Sequence, residues 1–144
     1  MSDSRKAEAR LRVVDEHIAH EVAHRLDPLV ATFGDDPEWH NKAAGEVMHG
    51  HSMIRDFYAA LFEGFPDFDV DVQHKHVTPG AVIIEAELRG THRGEWMGVS
   101  ATGKSIRVPI CAVFTFTPDD RVKTETVYFD RVTILSQLGA VPRL

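Results

Sequence analysis

Apolar residues recur at spacings of three and four through the first third of the chain. Ala7, Leu11, Val14, Ile18 and Val22 form one stripe on a helix of about six turns. Asp27-Pro28 reads as the N-cap and first position of a second, short helix running through Phe33, which Gly34 stops. A third helix is predicted over 52–63, with Met53, Ile54, Phe57 and Leu61 on one side and Gly64 with Pro66 ending it. Short strand-like stretches at 38–41 and 46–49, between the second and third helices, are expected to pair with a sheet edge.

After Pro66 the period changes to two. Phe68, Val70 and Val72 alternate with Asp69, Asp71 and Gln73; Thr78-Pro79-Gly80 turns the chain; Val82, Ile84, Ala86 and Leu88 follow at the same parity. That parity continues to His92 and Trp96. Beyond the loop at 101–103, Ile106, Val108, Ile110, Ala112, Phe114 and Phe116 share one face. Pro118-Asp119-Asp120 reverses the chain into Val122, Thr124, Thr126, Tyr128 and Asp130, and a short helix at 132–138 stops at Gly139. Three helices followed by a long antiparallel meander predict an α+β fold: a cone-shaped, curved antiparallel sheet closed by three N-terminal helices around one pocket.

No repeat, low-complexity run or Pro/Gly-rich linker divides the 144 residues, so one domain over 1–144 is expected. A formal charge of −6 argues against a nucleic-acid partner, which calls for a basic face. A single cysteine, Cys111, excludes an internal disulfide. The polar start MSDSRKAEARLR lacks a secretory or membrane-spanning core, so a cytoplasmic setting without a membrane partner is expected.

Polar groups at inward parity are the informative residues. Followed from the turns, the pairing sets His92 roughly level with Ile110, and Ile110 level with Tyr128, with Asp130 one pair further on. His92 and Tyr128/Asp130 are then expected to flank a gap of roughly 10 Å, suited to a small planar ligand, with Trp96 as an aromatic wall. Desolvation by an apolar cavity favours the protonated form of a carboxylate, which would let Asp130 exchange protons with a substrate near neutral pH. Asp at a strand-to-helix junction also caps the helix, and one residue can do both. For His92 the competing role is a hydrogen-bonded core histidine.

Several motifs resemble those of one family in order and spacing. Gly90-Thr91-His92-Arg93-Gly94, continuing to Thr102-Gly103-Lys104, resembles the GTHxGxxxGxxxTGK signature of SnoaL-like polyketide cyclases and ester cyclases. Asp130 with Leu135, Gln137, Leu138 and Gly139 is similar to that family's D-x4-L-x-QLG close, and Gly50 with Ile54-Arg55 and Phe57-Tyr58, followed by Phe65-Pro66-Asp67, to its G-x3-IR-x-FY helix and FPD. The resemblance implies a nuclear-transport-factor-two-like (cystatin-like) α+β barrel, a homo-oligomer, and intramolecular aldol chemistry without metal or cofactor. By the same resemblance Asp130 is the acid/base aspartate and Asn41 a polar helper on the first short strand.

Other branches of the fold match less well. Nine residues before Gly50, where ketosteroid isomerases carry their catalytic aspartate, stands Asn41, which is no base; their second acid would align near Ala112. The Arg and Asp pair of limonene-epoxide hydrolases would need an Asp where Pro109 follows Arg107. His20-Glu21-Val22-Ala23-His24 spells HExxH, but its histidines lie off the apolar stripe and no third ligand is evident, so no metal is expected.

The combined expectation is a small-molecule enzyme acting on a small apolar carbonyl compound by cofactor-free acid/base chemistry. Asp130 and His92 are its catalytic candidates, and Trp39, Asn41, Tyr58, Trp96 and Tyr128 its substrate-binding candidates. The alternative is a non-catalytic binding or association module of the same fold. Cys111, Val113, Val127 and Phe129, read as an apolar outer sheet face, supply the surface for the expected homodimer.

Overall fold

The computed structural model describes residues 3–141. Helices α1 (Asp3–Val22) and α2 (Leu26–Val30) precede strands β1 (Phe33–Asn41) and β2 (Glu46–His49). Helix α3 (Gly50–Gly64) leads into β3 (Asp69–Val77), β4 (Val82–Thr91), β5 (Ser105–Phe116) and β6 (Val122–Tyr128), and α4 (Arg131–Gln137) follows. The six strands form one curved, unclosed sheet in the order β2-β1-β6-β5-β4-β3. All neighbours are antiparallel except β1 and β6, which run parallel. The two short stretches foreseen between α2 and α3 are the sheet edge, and β1 is longer than expected. It begins at Phe33, where the sequence pattern continued the helix. Phe33 is buried as a strand residue opposite Val122, and a Cβ on Gly34 would come within 2.8 Å of Thr117 and Arg121, so a glycine lets the strand pass the β5–β6 turn.

The core lies between the inner sheet face and the helices. Val14 of α1, Leu29 of α2 and Ile54 of α3 are fully buried against Val82, Ile84, Ala86, Phe114 and Val122; each large aliphatic side chain removed from water contributes roughly 1.5–3 kcal/mol. A second cluster forms where α4 folds back, Ile134 and Leu138 meeting Phe65, Phe68, Ile106 and Val108. Gln137 fixes that return: its Oε1 accepts from the Arg107 N–H at 2.8 Å and its Nε2 donates to the Arg107 carbonyl at 3.0 Å.

Two irregularities change which residues face inward. The β5–β6 register shifts between Thr115 and Phe116, so the inner face of β6 is Val122, Glu125 and Val127, while Thr124, Thr126 and Tyr128 turn outward. Strict alternation from Val122 had placed Tyr128 inside and Val127 outside; one extra residue in a strand reverses every later side chain. A shift between Val72 and His74 does the same to β3, and His74 and His76 are exposed, His76 pairing with Glu85 at 2.6 Å. On α1 the buried face is Val13, Val14, His17 and Glu21, with Val22 exposed. The helix is rotated from its apolar stripe because His17 and Glu21, one turn apart, have partners inside.

Candidate active-site cleft

Because β1 and β6 run parallel, both deliver their C-terminal ends to the same end of the sheet. Asn41, the last residue of β1, pairs with Val127, and the chain leaving β6 passes Tyr128 and Phe129 before Asp130 starts α4. These segments and the turn at Ala43 and Ala44 enclose a cleft of about 530 Å³, completed by Arg131 and Val132. Three of the residues singled out in the sequence, Asn41, Tyr128 and Asp130, therefore meet in one place. Tyr128 is 45% exposed and reaches the cleft from the outer side of the sheet.

Asp130 is exposed and caps α4: Oδ1 accepts from the Val132 N–H at 3.0 Å and Oδ2 from the Thr133 hydroxyl at 2.8 Å. Asn41 is 1% exposed. Its Oδ1 accepts from the Ala44 N–H at 3.4 Å, which fixes which way the amide points, and its Nδ2 is buried with no partner among the described residues. Arg131 extends a guanidinium nitrogen to the carboxylate of Glu46 on β2. Its Nε is also buried and unpaired among the described residues, and desolvation pulls the pKa of the group down.

Two residues back along β1, on the same face, Trp39 leads into a buried polar cluster that the sequence pattern did not reveal. His17, fully buried, has Nδ1 2.9 Å from the Thr32 hydroxyl, which itself donates to the Leu29 carbonyl at 2.7 Å. Thr32 has spent its proton, so His17 Nδ1 is the donor. His17 Nε2 faces Glu125 Oε1 at 3.4 Å, Glu21 Oε1 at 3.5 Å and the Tyr58 hydroxyl at 3.3 Å. Tyr58 donates to Glu125 at 2.7 Å, and the Trp39 ring packs on the neighbouring Phe57 with centroids 4.3 Å apart. Burial by itself pushes the His17 pKa down; Glu125, with help from Glu21, outweighs it and raises the value to about 9. Burial raises Glu21, His17 partly offsetting it. Burial, Glu125 and Glu21 raise Tyr58. Of the two aromatic residues expected to line the cavity, Tyr58 thus stands in a buried ionic network around His17, and Trp39 is buried in the core beside it. A polar pair at positions 17 and 21, in step with Val13 and Val14, was the available signal.

His92 and Trp96 are elsewhere. The β4–β5 register pairs Thr91 with Ser105, so His92 lies beyond Ser105, whereas Tyr128 pairs with Cys111, six residues or about 20 Å along β5. Ile110 pairs with Ala86, not with His92; the loop from 92 to 104 is longer than the hairpin assumed from the sequence. His92 Nδ1 accepts from the Thr102 N–H at 3.2 Å and stands 3.0 Å from its hydroxyl, while the ring lies against Phe65. Trp96 meets Phe65 edge-on. Together they clamp the loop onto the end of α3. The HExxH histidines also diverge. His20 accepts from Arg25 at 3.2 Å, and His24, past the end of α1, stacks on Phe62 and bonds the Phe68 carbonyl. Only the central Glu21 faces inward.

No helix of the described residues is long and apolar enough to cross a membrane. Residues 10–138 match the family model described as SnoaL-like polyketide cyclase. Among curated proteins none matches. Solved structures share the fold at low identity. A Jannaschia sp. CCS1 protein named as a SnoaL-like polyketide cyclase is 23% identical, with a TM-score of 0.83 over 94% of each chain. TsrD from Streptomyces laurentii is 16% identical, with a TM-score of 0.81 over 93% of this chain and 97% of its own. A Catenulispora acidiphila protein with a ketosteroid-isomerase-like fold, solved with trimethylamine, is 19% identical, with a TM-score of 0.76 over 90% and 93%.

Proposed function

The chain belongs to the SnoaL-like polyketide cyclase family, and on that premise we propose that it is a small-molecule enzyme working by cofactor-free acid/base chemistry in the cleft between β1 and α4. Asp130 removes a proton from a carbon flanked by carbonyls, the electron pair moving onto a carbonyl oxygen. The resulting carbon nucleophile attacks a second carbonyl of the same molecule, and Asp130 returns the proton to the new alkoxide. Atoms balance without an external reductant or metal. The observation that carries this reading is the orphaned Nδ2 of Asn41, a residue that lines the same cleft as Asp130. A buried donor without a partner costs about 1–3 kcal/mol, and a substrate oxygen seated there recovers it.

The family match supports the cyclase class, and the cleft volume suits a drug-sized apolar molecule. The proposal includes a cytoplasmic homodimer. The half-buried Cys111 thiol is consistent with a reducing compartment, and the uncovered outer face around Val113 with a paired surface. One observation favours the alternative, a binding module without turnover: both carboxylate oxygens of Asp130 already serve the α4 cap.

Hydrogen–deuterium exchange at the central carbon of ethyl benzoylacetate, followed by NMR, separates the two. The wild-type protein is expected to accelerate exchange and Asp130→Asn to lose at least tenfold of it while still binding ligand. Exchange at the buffer rate with the wild-type protein would favour the binding module, and equal acceleration by both proteins would remove Asp130 as the base.

A further inference from the structure

Two buried unpaired donors, rather than one, belong to residues that wall the cleft. Asn41 Nδ2 and Arg131 Nε are both buried and without partners among the described residues, and both residues wall the same space as Asp130. The Arg131 side chain is not free to search for another acceptor, because its guanidinium is tied at the other end to Glu46, across the edge of the sheet. A planar guanidinium held that way presents its Nε–H in a fixed direction.

We propose that Arg131 is a catalytic residue, its Nε–H and the Asn41 Nδ2–H together receiving the enolate oxygen formed when Asp130 takes the proton, and that the substrate is an uncharged 1,3-dicarbonyl. The proposal rests on the acid/base role given above to Asp130. Its substrate class follows from the fixed charges. Of the residues that line the cleft, Asp130 is negative and Arg131 positive, and Arg131 is already paired with Glu46 from outside it. A substrate carboxylate would add a negative charge beside Asp130, whereas a ketone or ester adds none. When the C–H bond breaks, the proton neutralises Asp130 and its electron pair becomes the enolate; the total is unchanged and the charge moves from Asp130 towards the two donors. Donors already aimed at the place where charge develops need no reorganisation during the step. The partial burial of Arg131 works against its own charge, and an anionic oxygen on Nε offsets that. A second flanking carbonyl makes the carbon more acidic and spreads the enolate charge, which brings it closer in pKa to a carboxylate base.

Asp130→Asn reproduces the protonated state of Asp130, so in that background a phenolate stands in for the enolate. The probes are 4-nitrophenol, whose ionisation is read by absorbance, and 4-nitroanisole, which cannot ionise. Asp130→Asn is expected to bind 4-nitrophenol as the phenolate. Adding Arg131→Gln should weaken that binding at least about tenfold and leave 4-nitroanisole unchanged. Adding Glu46→Gln removes the charge of the ion pair but keeps an acceptor oxygen for the guanidinium and keeps Nε, and should preserve phenolate binding, which separates loss of the donor from loss of the ion pair. No phenolate binding in Asp130→Asn, or equal phenolate binding with Arg131→Gln, overturns the proposal. Undiminished deuterium exchange in Asp130→Asn would instead overturn the acid/base reading, so the two failures are distinct.

Discussion

Replacing Glu125 by Gln keeps the size of the side chain and its ability to accept from Tyr58, and removes one buried negative charge beside His17. In the folded protein Glu125 is the main group holding His17 in its protonated form against the effect of burial. The difference between the ordinary value of 6.5 and about 9, at about 1.4 kcal/mol per pH unit, is worth about 3 kcal/mol. The folded value lies above the unfolded one, so this contribution is complete below about pH 6.5 and disappears as pH rises through about 9. Tyr58 is also raised, so its deprotonation opposes folding in the same direction at still higher pH. Wild-type stability should therefore fall from neutral to alkaline pH. In Glu125→Gln burial prevails, His17 is neutral at pH 7, and its share of the alkaline loss vanishes. At pH 7 the variant should be less stable by about 3 kcal/mol, or about 10 °C in Tm for a chain of this length, and its Tm should change less between pH 7 and 9. Calorimetry at pH 6 to 10, with an NMR titration of the His17 imidazole, measures both. The general repulsion of a chain at net −6 cancels in the comparison. Parallel Tm curves for the two proteins would refute the assignment of a buried imidazolium.

A Cβ on Gly94 would lie 2.4 Å from the Glu63 carbonyl oxygen, so Gly94→Ala should cost roughly 2 kcal/mol and loosen the loop from 92 to 104; a urea melt no different from wild type would contradict that packing. Asp130→Ala removes two bonds at the start of α4 and should cost about 1 kcal/mol, a thermal shift distinct from the kinetic effect of Asp130→Asn, which keeps an acceptor for the cap. Val113→Glu places a charge on the half-buried outer sheet face and should convert the proposed dimer to monomer by analytical ultracentrifugation. An unchanged oligomer would place the contact elsewhere.

The three-helix and meander plan was legible because apolar spacing reports burial directly, and the inner faces of β4 and β5 follow the alternation without exception. Asn41 and Asp130 were also legible, through motif resemblance and not through periodicity. What escaped were events that alternation cannot encode. The register shift before Thr124 exchanged Tyr128 for Val127 on the inner face and brought in Glu125. The long loop after His92 carried that histidine about 20 Å from the level expected of it. On α1, His17 and Glu21 were hidden because a paired charge can occupy an inward position that a hydrophobic pattern leaves blank.

The parallel contact between β1 and β6 also orders events in time. Asn41 and Asp130 are about 90 residues apart in the chain, and β6, which brings the second of them to the first, lies between β1 and β5 in the sheet. Contacts of such long separation form late, since the entropy of closing the intervening segment must be overcome first. A chain interrupted before β6 would have most of its apolar core and no cleft. The cleft is thus completed by the β1–β6 contact, and amide hydrogens at that seam should be among the first in the sheet to exchange when the native state opens.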